Sequence, residues 1–260
     1  MSDASTGRRH GYGWLPDKPD HRDFAFTPTI KATNLPRAVD LRAGCGPVRD
    51  QGRLSSCTGF AIGGAIEFDR AKQNLPAFTP SHLFIYYNER LVENTVESDS
   101  GASIRDGIKS VNHEGVCDET LWPYRVEQFT QRPPAAAYDD ALLHQALQYQ
   151  SVAKTAAAMK ACLAEGYPFV AGISIYESFE SAEVARTGKV PMPQANEARL
   201  GGHAILCVGY DTASRRYLFQ NSWSSHWGAS GSFTLPFSYM THTGYACDMW
   251  TIRLVEGATA

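Results

Sequence analysis

The chain has 260 residues, 43% of them hydrophobic and 20% charged, and carries a formal net charge of −3. That is enough core-forming material for one large domain or two packed lobes. The only local basic pairs are Arg8-Arg9 and Arg215-Arg216, which argues against nucleic acid or acidic lipid as a partner.

No stretch approaches the roughly 18 consecutive apolar residues of a membrane helix. The polar start, MSDASTGRRHGYGW, lacks the apolar core of a secretory signal. The default expectation is a cytoplasmic monomer, with a trimmed signal or unconventional export left open. The six cysteines, Cys45, Cys57, Cys117, Cys162, Cys207 and Cys247, include no C-x-x-C pair, so neither a zinc site nor a dithiol is expected. They are too few for a disulfide scaffold in a chain of this length. Cys162 and Cys207 read as small buried hydrophobes, while a bond between Cys45 and Cys117, both in Gly-containing loops, is left open.

Taken in chain order, residues 1–35 form a segment without helical or strand periodicity. It carries Tyr12, Trp14, Phe24 and Phe26, too many large apolar groups for a free tail, so a strap lying on the folded domain is expected. Residues 36–260 form the main domain, mainly helical over 36–140 and mainly β over 141–260. The spacing of Phe60, Ala61, Gly64, Ala65 and Phe68 predicts a helix over Cys57–Gln73, with Gly59, Gly63 and Gly64 admitting a close neighbour. Thr79-Pro80 reads as the start of a second helix through Leu83, Tyr87 and Leu91. Ser103 caps a third, which Gly115 ends.

A Pro- and Ala-rich linker is expected around Arg132 to Tyr138, then a helix over Thr155–Glu165. Strands follow at Phe169–Ile175, His203–Tyr210, Tyr217–Asn221, Gly231–Leu235 and Met249–Leu254. The architecture is therefore α+β with two lobes, a cleft between them being the natural place for a site.

Three segments carry chemistry. In Asp50-Gln51-Gly52-Arg53-Leu54-Ser55-Ser56-Cys57, the thiol falls on the first turn of a helix, where orphan N–H groups and the helix dipole favour a thiolate. Gln51, in the turn before it, can point its amide at the carbonyl oxygen under attack and share an oxyanion hole with the Cys57 N–H. In Gly201-Gly202-His203-Ala204, the histidine is expected to open an apolar strand behind two glycines, at a lobe edge with open space beside it, with an imidazole suited to proton transfer near pH 7. In Gln220-Asn221-Ser222-Trp223, the Asn221 amide can fix the histidine tautomer and Trp223 can roof that bond. Singly, each has a plainer reading: a buried cysteine, a surface glutamine, a structural histidine, a turn asparagine beside a packing tryptophan.

Together, in this order and spacing, these segments resemble the papain family of cysteine peptidases, from about Val39 past Trp227-Gly228. The resemblance implies a helical N-terminal lobe, an antiparallel, β-barrel-like C-terminal lobe and an extended peptide substrate between them. It implies Cys57 as nucleophile, His203 as general acid/base, Asn221 as orienting residue and Gln51 as oxyanion donor. It also places Ser100-Gly101 at the substrate edge and Gly202 and Trp223 beside the substrate, with a pocket near Gly202 suited to a medium apolar side chain. Leu54 and Thr58 stand where the family usually has cysteine and tryptophan, and the family's Cys-Asn-Gly-Gly run is absent.

The partners implied are protein or peptide substrates, with no metal or organic cofactor. The segment Gly13-Trp14-Leu15-Pro16-Asp17-Lys18-Pro19-Asp20-His21-Arg22-Asp23-Phe24 looks like the short leader of some bacterial members, either crossing the cleft as an inhibitor or packing on the back of the domain. A transglutaminase-like acyltransferase and an inactive peptidase fold kept for binding are the competing readings.

Overall fold

The computed structural model describes residues 10–257; the first nine residues of the expected strap, including Arg8-Arg9, lie outside the described residues. Helix α1 (Cys57–Lys72) forms where the apolar spacing requires it and is buried nearly all round over its first turns. Its glycines do admit a close neighbour. A Cβ on Gly59 would sit 2.7 Å from the His82 carbonyl oxygen, at the first residue of helix α2 (His82–Val92).

The α2 cap is Ser81, whose hydroxyl accepts the Phe84 N–H, rather than the expected Thr79. Thr79 instead accepts the Glu119 N–H through its carbonyl, and Pro80 bridges Asp118, so Thr79-Pro80 belongs to an extended pairing before the helix. Ser103 caps α3 (Ile104–His113) as expected, and Gly115 follows with φ of 75°. The expected linker contains helix α4 (Ala135–Ala141), because its alanines bury Ala137 and Ala141 against α2 and the loop around Val116.

The β half is an open, mainly antiparallel sheet. In chain order its strands are β2 (Ala38–Asp40), β4 (Ala146–Ser151), β5 (Phe169–Tyr176), β6 (Arg199–Asp211), β7 (Arg216–Gln220), β8 (Ser232–Pro236) and β9 (Ala246–Val255). Their spatial order is β4-β9-β5-β6-β7-β8, with β2 pairing beside β6. Among the described residues β4 and β8 do not meet, so the barrel-like lobe expected from the resemblance is a sheet that stays open.

Alternating residues of β5 and β6 face two cores. Val170, Ala204, Leu206 and Val208 pack against α1, α2 and α3. Phe169, Ala171, Ile173, Ile205 and Cys207 pack with α5 (Ala156–Ala164) and the aromatic cluster of Phe179, Trp223, Trp227 and Phe233. This period-2 division is why one strand can serve both halves of the molecule. All six cysteines are free, Cys45 and Cys117 included: the Cys45 thiol turns to the Leu41 carbonyl, and Cys117 is buried beside Ser81. Among the described residues no helix is long and apolar enough to cross a membrane.

The strap runs along the body from residue 10 onward. Strand β1 (Trp14–Leu15) pairs in parallel with β3 (Ala102–Ser103). Further on, the Phe26 N–H donates to Ser151 at 2.8 Å and the Ser151 N–H to Phe24 at 2.7 Å, which lays the strap beside β4.

Candidate active site

Cys57 is the first residue of α1 and is wholly buried. Its sulfur accepts the backbone N–H of Ala204, at 3.3 Å, from β6. The contact joins the helix start directly to the strand that carries His203. Burial pushes the thiol up to about 11, against the N–H groups of Ala204, Gly13 and Thr58, which favour the anion. In the covered site the sulfur is therefore a thiol.

His203 is the fifth residue of β6, not its opening residue as expected, and it is fully buried. The strand begins earlier because Gly201 and Gly202, expected to leave open space, are paired with β5 and covered by strap rings. The Nε2–H donates to Asn221 Oδ1 at 2.8 Å, and the same oxygen accepts the Ser222 N–H at 2.9 Å. This fixes the tautomer. Nδ1, which has no hydrogen-bond partner among the described residues, is left as the proton acceptor.

Burial lowers the His203 pKa to about 4, opposed by the Asn221 bond and assisted by the charge of His10. Trp223 stacks on the imidazole with ring centres 4.7 Å apart. His10 also stacks on Trp223, with ring centres 4.2 Å apart and planes within 6° of parallel.

Gln51 is buried at the seam between the two halves. Its backbone N–H donates to the Ser222 carbonyl at 2.9 Å, and its Oε1 accepts the Ser222 hydroxyl at 2.6 Å. Its Nε2 donates to the carbonyls of Leu54, at 2.8 Å, and of Gly11 in the strap, at 3.2 Å. A strap carbonyl thus lies on the amide that the sequence marked as an oxyanion donor.

The strap follows the remaining expected positions. Gly13 accepts the Ala102 N–H at 2.8 Å, beside Gly101, whose φ is 73°. A Cβ on Gly13 would fall 1.7 Å from the Ser55 carbonyl oxygen, so only glycine passes there. The Trp14 ring lies on the backbones of Gly172 and Gly202, and its Nε1–H donates to Asp248 at 3.1 Å. Ser100 is the exception, since its hydroxyl turns to Thr95 and the Gly101 carbonyl within its own loop.

The sequence reading brought Cys57, His203, Asn221, Gln51, Gly101, Gly202 and Trp223 to the site. It missed Ser222 and Tyr124, which hold Gln51, and Asp248, which faces Trp14. The Ser following Asn221 was in view, but nothing local shows that its hydroxyl reaches Gln51, 171 residues away. No group of three or more His, Cys, Asp or Glu among the described residues could hold a metal ion.

A thiol at a helix start, an imidazole of fixed tautomer and an amide behind it define the site of a cysteine protease. The papain family cysteine protease profile matches residues 35–250. The chain is 40% identical to xylellain, a cysteine protease from Xylella fastidiosa, with a TM-score of 0.88 and 97% and 98% of the two chains covered. It is 39% identical to an uncharacterised peptidase C1-like protein of Acanthamoeba polyphaga mimivirus, over 97% of this chain and 89% of that one. Procathepsin L 3 of Tenebrio molitor shares the fold at 17% identity, with a TM-score of 0.67, 91% of this chain and 74% of that one being covered. The chain belongs to the papain family of cysteine proteases.

Proposed function

We propose that this protein hydrolyses peptide bonds at Cys57 and that residues 10–14 of its own chain cover the cleft until displaced. The observation that carries the reading is the convergence of Ala204 N–H on Cys57 sulfur, Asn221 on His203 and Ser222 on Gln51. These bonds tie three separated motifs into one site.

With the strap lifted, water returns and burial no longer disfavours the charged form of either group, so the proton passes from Cys57 to Nδ1 of His203. The thiolate adds to the substrate carbonyl carbon, and the carbonyl electron pair moves to oxygen. That oxyanion is held by Gln51 Nε2 and the Cys57 N–H. As the C–N bond breaks, His203 returns its proton to the leaving amine and an acyl-thioester remains. His203 then takes a proton from water, the hydroxide attacks the thioester, and the carboxylic acid leaves as the thiol is restored.

Substrate lies extended along Gly101-Ala102 on one wall and Gly202 on the other, the positions the strap holds. The occupation of the Gln51 amide by Gly11, and of the Gly172–Gly202 surface by Trp14, supports the strap as an internal inhibitor. The test is hydrolysis of a fluorogenic dipeptide library under reducing conditions by the full chain, Trp14→Ala and Cys57→Ala. Cleavage should be slow in the first, faster in the second and absent in the third. Cleavage that persists in Cys57→Ala, or amine incorporation outrunning hydrolysis, overturns the reading.

A further inference from the structure

Tyr124 lies in the loop between α3 and α4, outside all three motifs, yet its hydroxyl touches both ends of the run from Gln51 to Cys57. It donates to the Gln51 carbonyl at 2.9 Å and meets the hydroxyl of Ser56, the residue before the nucleophile, at 2.6 Å. Ser56 occupies the N-cap position of α1 but makes no side-chain capping bond there, so its hydroxyl is turned to Tyr124 instead. The tyrosine is itself held. Its ring stands edge-on to Phe60 at 4.8 Å, and its N–H donates to Glu119 at 2.6 Å.

The run between these two contacts includes Gly52 at φ of 61°, a residue with no Cβ neighbour and wide backbone freedom. The Leu54 carbonyl holds the Gln51 amide from within the run, and the Gln51 main chain is steadied from outside it. Ser222 grips Gln51 from the β half through two bonds, and Tyr124 supplies the matching grip from the helical half. Burial raises the Tyr124 pKa, so the phenol stays a donor at any working pH.

We propose that Tyr124 is a positioning residue of the oxyanion hole, its hydroxyl fixing the distance between the Gln51 main chain and Ser56 so that the Gln51 amide and the Cys57 N–H converge on one oxygen. This rests on the reading of Gln51 as the oxyanion donor. A hole of two donors needs them both about 3 Å from the same developing charge, and its contribution falls steeply with misplacement.

The test compares Tyr124→Phe with its parent in the full chain carrying Trp14→Ala, so that the strap does not mask the site. The expected result is a fall of about tenfold in kcat with KM unchanged, and a similar loss of affinity for a peptide aldehyde, whose tetrahedral adduct places an oxyanion in the hole. Alkylation of Cys57 by iodoacetamide, which forms no oxyanion, should keep its rate and pH profile. If kcat and aldehyde affinity are unchanged, the role is wrong. If alkylation falls along with them, the hydroxyl supports the site as a whole and the specific role is again wrong. A parent that lacks Cys57-dependent hydrolysis overturns the peptidase reading and this role together, whereas an active parent with an unaltered Phe variant overturns this role alone.

Discussion

Two stretches of the strap meet the body by different means. Residues 10–14 use backbone and rings: Gly11 on Gln51 and Gly52, Gly13 on Ala102, Trp14 on two glycine backbones, and His10 on Trp223. Residues 17–29 use charged and polar side chains. Asp17 accepts from Trp250 at 2.9 Å and from the Arg105 N–H at 3.1 Å, Arg105 pairs with Asp23, and Thr29 donates to Glu165 at 2.8 Å. The first stretch is held mainly by close backbone and ring contacts, with one indole bond to Asp248, and the second mainly by charged and polar side chains, with backbone bonds at Phe24 and Phe26. Close-packed contacts are sensitive to single atoms, whereas buried carboxylates titrate.

The largest effect should come from Trp14→Ala. Truncating a buried tryptophan removes about 3–5 kcal/mol of packing, so the tip detaches and dipeptide hydrolysis rises by about two orders of magnitude or more. A lowered melting temperature without faster hydrolysis would put the tip and the stem on the same footing, as stabilising contacts only.

Gly13→Ala sharpens the same point with one methyl group. It should release the tip through the clash with Ser55 and leave the bonds of residues 17–29 intact, read as faster hydrolysis with protection of the stem amides from hydrogen exchange retained.

The next effect is that of pH. Asp17 is buried, and burial together with the nearby Asp248 charge raises its pKa from 3.8 to about 6. The docked strap then holds a proton that the lifted strap releases. Asp17 therefore strengthens docking as pH falls from 6 toward 4, by at most about a hundredfold, whereas His203, whose pKa burial lowers to about 4, weakens it over the same range. The rate of the full chain divided by that of Trp14→Ala reads the docking equilibrium, and Asp17→Asn removes the Asp17 share of it. The full-chain ratio relative to that of Asp17→Asn should drop on acidification; the same pH dependence in both would contradict the assignment.

Arg105→Ala breaks the half-buried pair with Asp23 and should cost about 1–2 kcal/mol, seen as a melting temperature lower by a few degrees with the cleft still covered. Thr29→Ala, at the exposed end, should cost no more than about 1 kcal/mol and leave hydrolysis unchanged.

Local chemistry made much of this legible in advance. The start of α1 at Cys57, the Ser103 cap and the β5 and β7 strands follow from periodicity and capping, which act over a few residues. Gln51, His203 and Asn221 were found because each sits in a short run of distinctive composition. Long-range packing decided the remainder. Gly201-Gly202 reads as open space, and only the fold shows Tyr12 and Trp14 filling it. Strand β4 carries alternation too weak to see, because Leu147 points outward and Gln148 and Gln150 give no apolar face. Helix α4 was hidden by its prolines, although Pro134 merely precedes it as N-cap. Tyr124 lies in no motif at all, and its two hydroxyl contacts are 68 and 73 residues away in the chain.

The pairing of Phe24 and Phe26 with Ser151 has a consequence for solubility. Strand β4 is an outer strand of the sheet, the strap pairs with its last residue, Ser151, and Leu147 near its start is exposed. A cut that frees the cleft by removing the whole strap also bares part of a β edge, a template on which other chains can add. Detachment of residues 10–14 alone keeps that edge covered. Two ways of opening the same cleft thus leave two products, one prone to self-association and the other shielded from it.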